Sequence, residues 1–469
     1  MRFKFLPLLS LLLLFPLFPA SAMENFNSLK LYNAETLEQK KEIPLAENIV
    51  GWNLSAVDLG GDGTFEILAG APTGDPPAGG PKVKILRGDG SKVNEFLAYD
   101  KNFKGGVSVA GCDLDGDGKS EIVTGAESLG GPHIRIFDGF GKVKMISGFF
   151  AADKKTVAGV VVGCADVNGD KKDEIVAIVG AAYQKKVLKI FDREGKTLAE
   201  TKTDLVGRGA KISRLDLGGD GVEEILVSGG YLDGPKIKIY RGDLSLVNDF
   251  FAGDKNFKDG VAAMGADLDG DGKGEIVAMA GAIMNPRVKI LDGFGNEKNS
   301  FLPFGENFLG GLNGAVADFD GDGKKEILVA ARRISTGRTD WEKYIEVNVT
   351  TQRFKYFEKG IMLADFLTST GKPSTPTRLG EFTAFSKYDI AYGGADGQKW
   401  GMPYFIGFYT SGNLVNGIHE LPFLDGRREG IWDLGHAVSH GCVRLAMDGT
   451  AKEVYDWVEL NKTKVWVHK

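Results

Sequence analysis

One short pattern recurs six times in this chain and leaves little choice of architecture. It reads Asp, any residue, then Asp, Asn or Gly, then Gly-Asp, and a Glu four positions later, followed by Ile and an aliphatic residue. The copies begin at Asp58, Asp113, Asp166, Asp216, Asp267 and Asp318, spaced 55, 53, 50, 51 and 51 residues apart. Around the second copy, residues 107–110, 122–125, 134–137 and 143–150 alternate or run apolar as short strands do. Four strands in a period near 50 residues describe one blade of a β-propeller.

The ends of the array carry a second constraint. Before the first loop lie two strand-like runs, 29–32 and 41–44; after the last comes only the run 326–330. The two halves add up to one blade. Closing a ring from both ends removes the edges an open array would expose. The expectation is therefore six blades, the last shared between the two ends of the array; a seventh follows only if residues 344–356 add strands.

The loops themselves carry chemistry. Asp113, Asp115, Asp117 and Glu121 place carboxylates at loop positions 1, 3, 5 and 9, and alternate residues of a tight loop can converge on one hard cation. This arrangement resembles the FG-GAP, or integrin-alpha, type of propeller repeat over residues ~25–333. The resemblance implies Ca2+ on Asp113, Asp115, Asp117 and Glu121, on Asp267, Asp269, Asp271 and Glu275, and on Asp318, Asp320, Asp322 and Glu326. Three copies depart from it: Gly60 and Gly218 replace the second acid, Asn168 does so in the third loop, and these should bind calcium weakly or not at all. The bland alternative is that all six are plain Asp-Gly turns whose carboxylates bond their own backbone. The ring itself reads as a rigid scaffold or spacer, or as a module binding a wall glycan or a protein; no aromatic ladder chooses between them.

Charge divides along the same boundary. Of the 57 basic and 63 acidic side chains, residues 341–469 hold 15 of each and residues 1–22 hold two basic ones, which leaves a charge of −8 on residues 23–340. An acidic ring is not a nucleic-acid binder. Residues 1–22 read as a signal peptide: Arg2 and Lys4, an apolar run over 5–18, then Ala20-Ser21-Ala22. No other stretch is apolar enough to span a membrane. A secreted protein of the periplasm or cell wall is expected, with the propeller at 23–333, a polar linker at 334–340 and a second domain at 341–469. There are three cysteines, and an odd count leaves at least one thiol over. Cys112 and Cys164 sit one residue out of step before their loops, so they should point to opposite faces of their strands as small buried side chains, without a disulfide.

The second domain concentrates nucleophile chemistry. Four of the five histidines, His419, His436, His440 and His468, fall after residue 418, around the remaining cysteine in the run Ser439-His440-Gly441-Cys442. An imidazole within reach can take the proton from a thiol and make it a nucleophile. Four stretches together resemble the L,D-transpeptidase family over residues ~344–468: the hairpin 344–357; the segment Ser369-Thr370-Gly371 with Thr375-Pro376-Thr377 and Gly380; Met402–Phe405 with Gly417-Ile418-His419; and the Ser-His-Gly-Cys run. The resemblance implies that Cys442 is the nucleophile and His419 its general base, with His440 assisting or structural. It implies that Gly441 allows close backbone approach and that nearby amides bind the oxyanion. Arg444 and Tyr404 would contact substrate. The stretch from His419 to Ser439 is long and charged, a candidate lid, and Glu420 follows His419 where the family more often has a small residue. Thr450 and Glu453 suit a capping box for a final helix whose apolar face holds Val454, Trp457 and Val458.

The fold class is thus mainly β: a six-bladed propeller followed by a mostly β catalytic domain with a C-terminal helix. The implied activity is formation of 3→3 cross-links between peptidoglycan stem peptides through a Cys442 thioester, with no cofactor for catalysis. Two alternatives stay open: an L,D-carboxypeptidase, which ends the same thioester with water, and a calcium-dependent wall-binding or adhesion protein whose catalytic domain is inactive.

Overall fold

The computed structural model describes residues 27–45, 50–73, 80–128, 130–144, 148–156, 158–180, 184–333, 337–393 and 398–469. The signal segment and part of the linker lie outside them. Residues 28–331 form six four-stranded antiparallel sheets. Blades one to five run Asn53–Leu97, Val107–Phe150, Val160–Lys202, Lys211–Phe251 and Val261–Phe301. The sixth joins the ends of the array: Ser28–Asn33 pairs antiparallel with Glu326–Ala331, Leu31 facing Leu328, and the strands Gln39–Pro44 and Leu312–Ala317 flank the pair. Residues 344–356 add no seventh blade, because their strands pair elsewhere.

Within a blade, burial follows position. The second strands, such as Glu174–Val179 and Glu275–Ala280, are buried along their whole length because blades cover both faces. The outermost strands, such as Thr197–Lys202, are largely exposed. The core is a set of apolar clusters between successive blades; one holds Ala110, Cys112, Val160, Val162, Cys164 and Ile175.

That cluster overturns one expectation. Cys112 and Cys164 are joined by a disulfide, with Cα atoms 5.8 Å apart. The one-residue offset does send the two side chains to opposite faces of their strands. In a ring of blades, however, the forward face of one blade meets the backward face of the next, so opposite faces are what a bridge between neighbours requires. Cys442 is the free cysteine.

The second domain packs two sheets around one core. The first has the strand order Ile361–Leu367, Arg353–Glu358, Lys343–Asn348, Lys464–His468, Gly380–Thr383. The second is centred on Trp400–Ser411, paired with Ser386–Gly393 and with Leu414–Glu420; the latter runs parallel to Val443–Leu445. Between the sheets lie Ile345, Phe354, Ile406, Ile418, Val443, Val454 and Trp457. The helix spans Thr450–Trp457 and buries Val454 and Trp457 as expected, but the capping box does not form. Gly449, at φ 97°, is the N-cap, and Asp448 Oδ1 accepts from Thr450 N at 3.0 Å. Thr450 is already inside the helix, and Glu453 faces another partner.

That partner is on the propeller. Arg208, from the loop before blade four, pairs with the buried Glu453 and lies 4.5 Å over the Phe366 ring. Glu453 also accepts from Tyr356 OH. A cavity of about 840 Å³ lies between the mouth of the ring and the catalytic domain, lined by Lys211 and Arg332 on one side and Leu363 and Asp448 on the other.

Candidate active site

The site is assembled from three segments that the second sheet brings together. Leu414–Glu420 and Val443–Leu445 run parallel, with Ile418 opposite Val443 and His419 opposite Arg444. Cys442 therefore sits at the mouth of the shorter strand, beside Gly417. The third segment, Thr368–Thr377, is stitched to the shorter strand and the turn before it: Ser439 N donates to Thr370 O at 2.9 Å, Lys372 N to Ser439 O at 2.9 Å, and Arg444 N to Ser369 O at 2.9 Å.

The turn that presents the thiol is braced from within. Ser439 Oγ donates to Cys442 O at 2.6 Å and accepts from Gly441 N at 3.1 Å. Thr377 Oγ1 donates to Gly441 O at 3.0 Å. Gly441 itself has φ +117°, and a Cβ there would stand 2.8 Å from Asn416 Oδ1. The backbone conformation favours glycine at this position, and a side chain there would displace the Asn416 amide. Cys442 is half-buried, with Sγ 3.5 Å from Gly417 N and 3.9 Å from Asn416 Oδ1.

His419 is 2% exposed. Its ring stacks on Phe405, and its Nδ1 lies 2.6 Å from the carbonyl oxygen of Glu420. A carbonyl can only accept, so Nδ1 carries the proton and Nε2 keeps its lone pair. Burial lowers the imidazole to about 3; the Glu420 carbonyl opposes that shift and Arg444 adds to it. Burial also raises the Cys442 thiol, opposed by the Gly417 N–H and the charge of Arg444. The resting site thus holds a neutral thiol and a neutral imidazole, rather than a preformed thiolate.

The other candidates spread outward. His440 is exposed, and its Nε2 lies 3.0 Å from Lys372 Nζ. Arg444 is buried and paired with Glu429 at 2.6 Å. The Tyr404 ring packs 5.8 Å from Tyr455 of the helix, at the edge of the core. His436 gives its carbonyl to Ser369 Oγ at 2.8 Å. The long segment after His419 is tied inward, since Glu420 pairs with Arg428 and Glu429 with Arg444. The carboxylate of Glu420 thus turns to Arg428, while its backbone carbonyl serves His419. Asn416, Gly417 and Ser439 complete the site. Ser439 was legible in the Ser-His-Gly-Cys run; Asn416 carried no signal of its own.

On the propeller, three of the four candidate ligands in each complete loop converge; Glu121, Glu275 and Asp322 are not in these sets. Carboxylate oxygens of Asp113, Asp115 and Asp117, of Asp267, Asp269 and Asp271, and of Asp318, Asp320 and Glu326 lie within 4.8 Å of one another in each set.

Residues 342–467 match the model of the YkuD L,D-transpeptidase catalytic domain, and residues 105–133 match that of the FG-GAP repeat. Solved structures similar to part of the chain include an L,D-transpeptidase from Stackebrandtia nassauensis, at 23% identity and TM-score 0.21, covering 27% of this chain and 55% of that one. An L,D-transpeptidase from Mycobacterium tuberculosis H37Rv gives 17% and 0.23, covering 31% and 72%. A cysteine-to-serine mutant of the Enterococcus faecium L,D-transpeptidase gives 27% and 0.22, covering 27% and 49%. This chain thus spans about half the length of the first and last of these. The curated proteins contain no match to this chain. Residues 342–467 are an L,D-transpeptidase-type catalytic domain, and FG-GAP repeat sequence stands in the ring before it. Among the described residues no helix is long and apolar enough to cross a membrane.

Proposed function

We propose that the protein is a secreted peptidoglycan L,D-transpeptidase that forms 3→3 cross-links through a Cys442 thioester. The observation that carries this reading is the half-buried free thiol of Cys442 at the mouth of the strand that runs beside the one holding His419, whose proton is fixed on Nδ1 by the Glu420 carbonyl. That tautomer leaves Nε2 as a base. It takes the thiol proton as sulfur attacks the carbonyl of the third residue of a donor tetrapeptide. The carbonyl–nitrogen bond then breaks, and the imidazolium returns the proton to the departing terminal D-alanine. A thioester remains. The side-chain amine of a neighbouring stem's third residue attacks it, His419 takes the amine proton, and the Cys442 thiol is regenerated.

The oxyanion of each tetrahedral state needs donors that are not already used. Gly441 N is committed to Ser439 Oγ, whereas the amides of His440 and Cys442 have no acceptor among the described residues. These two amides are the ones assigned here to the oxyanion. The propeller serves as a docked module that spaces or binds the domain at the wall.

Disaccharide-tetrapeptide incubated with the protein, with Cys442→Ala as control, tests the reading by product mass. A Cys442-dependent dimer lacking one D-alanine supports it. A Cys442-dependent tripeptide without dimer makes the protein an L,D-carboxypeptidase instead.

A further inference from the structure

The FG-GAP resemblance implies calcium in the three complete acidic loops, and the residues around those loops test the fit. All six loops share one hydrogen-bond skeleton, whatever stands at position 3. The first Asp accepts at least two backbone N–H groups in every copy: Asp113 from Gly116 at 2.7 Å and Gly118 at 2.9 Å, and Asp58, in a loop with Gly60, from Gly61 at 2.7 Å and Gly63 at 2.9 Å. One oxygen of the closing Glu accepts from the residue after the first Asp, as in Leu114 to Glu121 at 3.1 Å and Leu59 to Glu66 at 3.2 Å. The loop shape is therefore set by backbone bonds, and the acid at position 3 is not needed to make it.

What differs between complete and incomplete loops is the neighbour. In the complete loops an ammonium group stands among the carboxylates. Lys40 Nζ lies 2.7 Å from Asp320, 2.9 Å from Asp322 and 2.8 Å from Glu326. Lys298 Nζ lies 2.7 Å from Glu275 and 3.4 Å from Asp269. Lys144 Nζ pairs with Glu121 and lies 3.4 Å from Asp115.

These lysines come from one structural position. The fourth strand of a blade carries a register shift next to its turn, and an extra residue there can be aimed out of the ladder. The shift falls at Lys40 in blade six and at Lys298 in blade five; Lys144 follows Val143, which bridges Phe137 at the matching place in blade two. In the blades whose loops have Gly60, Asn168 and Gly218, the same position holds Val93, Leu198 and Val247. A second acid in the loop and a lysine in the bulge thus occur together in three blades, and neither occurs in the other three. In the third loop, Asn168 Nδ2 donates to Glu174 Oε1 at 2.8 Å, so a neutral donor meets the glutamate there.

We propose that the three acidic loops carry their own cation: the ammonium groups of Lys40, Lys144 and Lys298 take the place of calcium, and the ring closes without metal. Calcium needs six to eight oxygens and would have to enter against a positive charge already seated on those carboxylates. One carboxylate oxygen, Asp115 Oδ1, is buried without a hydrogen-bond partner, and Arg193 joins Lys144 in the lining of the small cavity beside it. That loop is where competing calcium would show first.

The experiment measures bound calcium and the thermal midpoint of the full chain in EGTA and in excess calcium. The wild-type protein is expected to retain no calcium after desalting and to show the same midpoint in both. Lys298→Val should lower the midpoint in EGTA by roughly 2–4 °C, as loss of about 1 kcal/mol does in a unit of this size. Calcium should restore it, and Lys144→Met should behave alike. The double variant Asp269→Gly with Lys298→Val copies blades one and four; it should regain the wild-type midpoint without calcium. Calcium retained by the wild-type protein, with a raised midpoint, would overturn the proposal. So would a Lys298→Val protein as stable as wild type in EGTA.

Discussion

His419 Nδ1 lies 2.6 Å from the carbonyl oxygen of Glu420, its own neighbour in the chain. The base is therefore oriented by the backbone of its own strand and needs no third side chain. Replacing the Glu420 carboxylate leaves that carbonyl in place. Glu420→Gln should keep kcat within a few-fold of wild type, whereas His419→Ala should lower it by at least about 100-fold, the usual share of a general base. Steady-state release of D-alanine checks both.

The protonation states give a pH signature with a definite sign. The imidazole is lowered to about 3, below its unfolded value of about 6.5, so the unfolded chain binds a proton that the native one refuses. Its stabilising share is complete above pH ~6.5 and is lost as pH falls toward 3. His419→Gln should flatten the stability profile across that window in denaturant titrations. The thiol is shifted upward by burial, so iodoacetamide should modify resting Cys442 slowly at neutral pH and faster as pH climbs past the ordinary thiol range.

Ser439 positions the nucleophile through both of its hydrogen bonds, to Cys442 O and from Gly441 N. Ser439→Ala loosens the turn without removing any reacting atom. A fall in kcat of roughly 10–100-fold is expected, the scale on which small misplacements act. The alkylation pH profile of Cys442 and the thermal midpoint should change little, which separates positioning from unfolding.

The Cys112–Cys164 bridge closes 52 residues of chain between two blades. Cys112→Ala with Cys164→Ala should lower stability by about 2–4 kcal/mol in denaturant titrations. Thiol counting under denaturing, non-reducing conditions should find one free thiol per chain.

Glu453 ties the catalytic domain to the ring. Glu453→Ala leaves Tyr356 OH and the Arg208 guanidinium without their acceptor. A cost of about 2–3 kcal/mol is expected, held down because Arg208 keeps a third of its side chain in water. Limited proteolysis should cut this variant more readily between its two domains.

Much of this was legible in the chain because its signals are periodic or local. The recurrence near 50 residues and the half-blades at both ends of the array fixed the ring and its closure through the pairing of Leu31 with Leu328. Cys442, Gly441 and Ser439 stand together in one run, so a single turn carries them. What was not legible depends on the third dimension. The Cys112–Cys164 bridge needed the packing of blade faces, which offset alone misjudged. Glu453 looked like a capping residue because its partner Arg208 is 245 positions away. Lys40 was hidden for the same reason: it and Glu326 stand at opposite ends of the ring sequence and meet only when it closes.

Intact-protein mass spectrometry of the acyl-enzyme is the most direct test of the central claim. Wild-type protein mixed briefly with disaccharide-tetrapeptide should gain the mass of the substrate less one D-alanine, which leaves carrying the thiol hydrogen. The adduct should map to the peptide holding Cys442 and be absent from Cys442→Ala. An adduct elsewhere, or undiminished release of D-alanine by Cys442→Ala, would contradict the account.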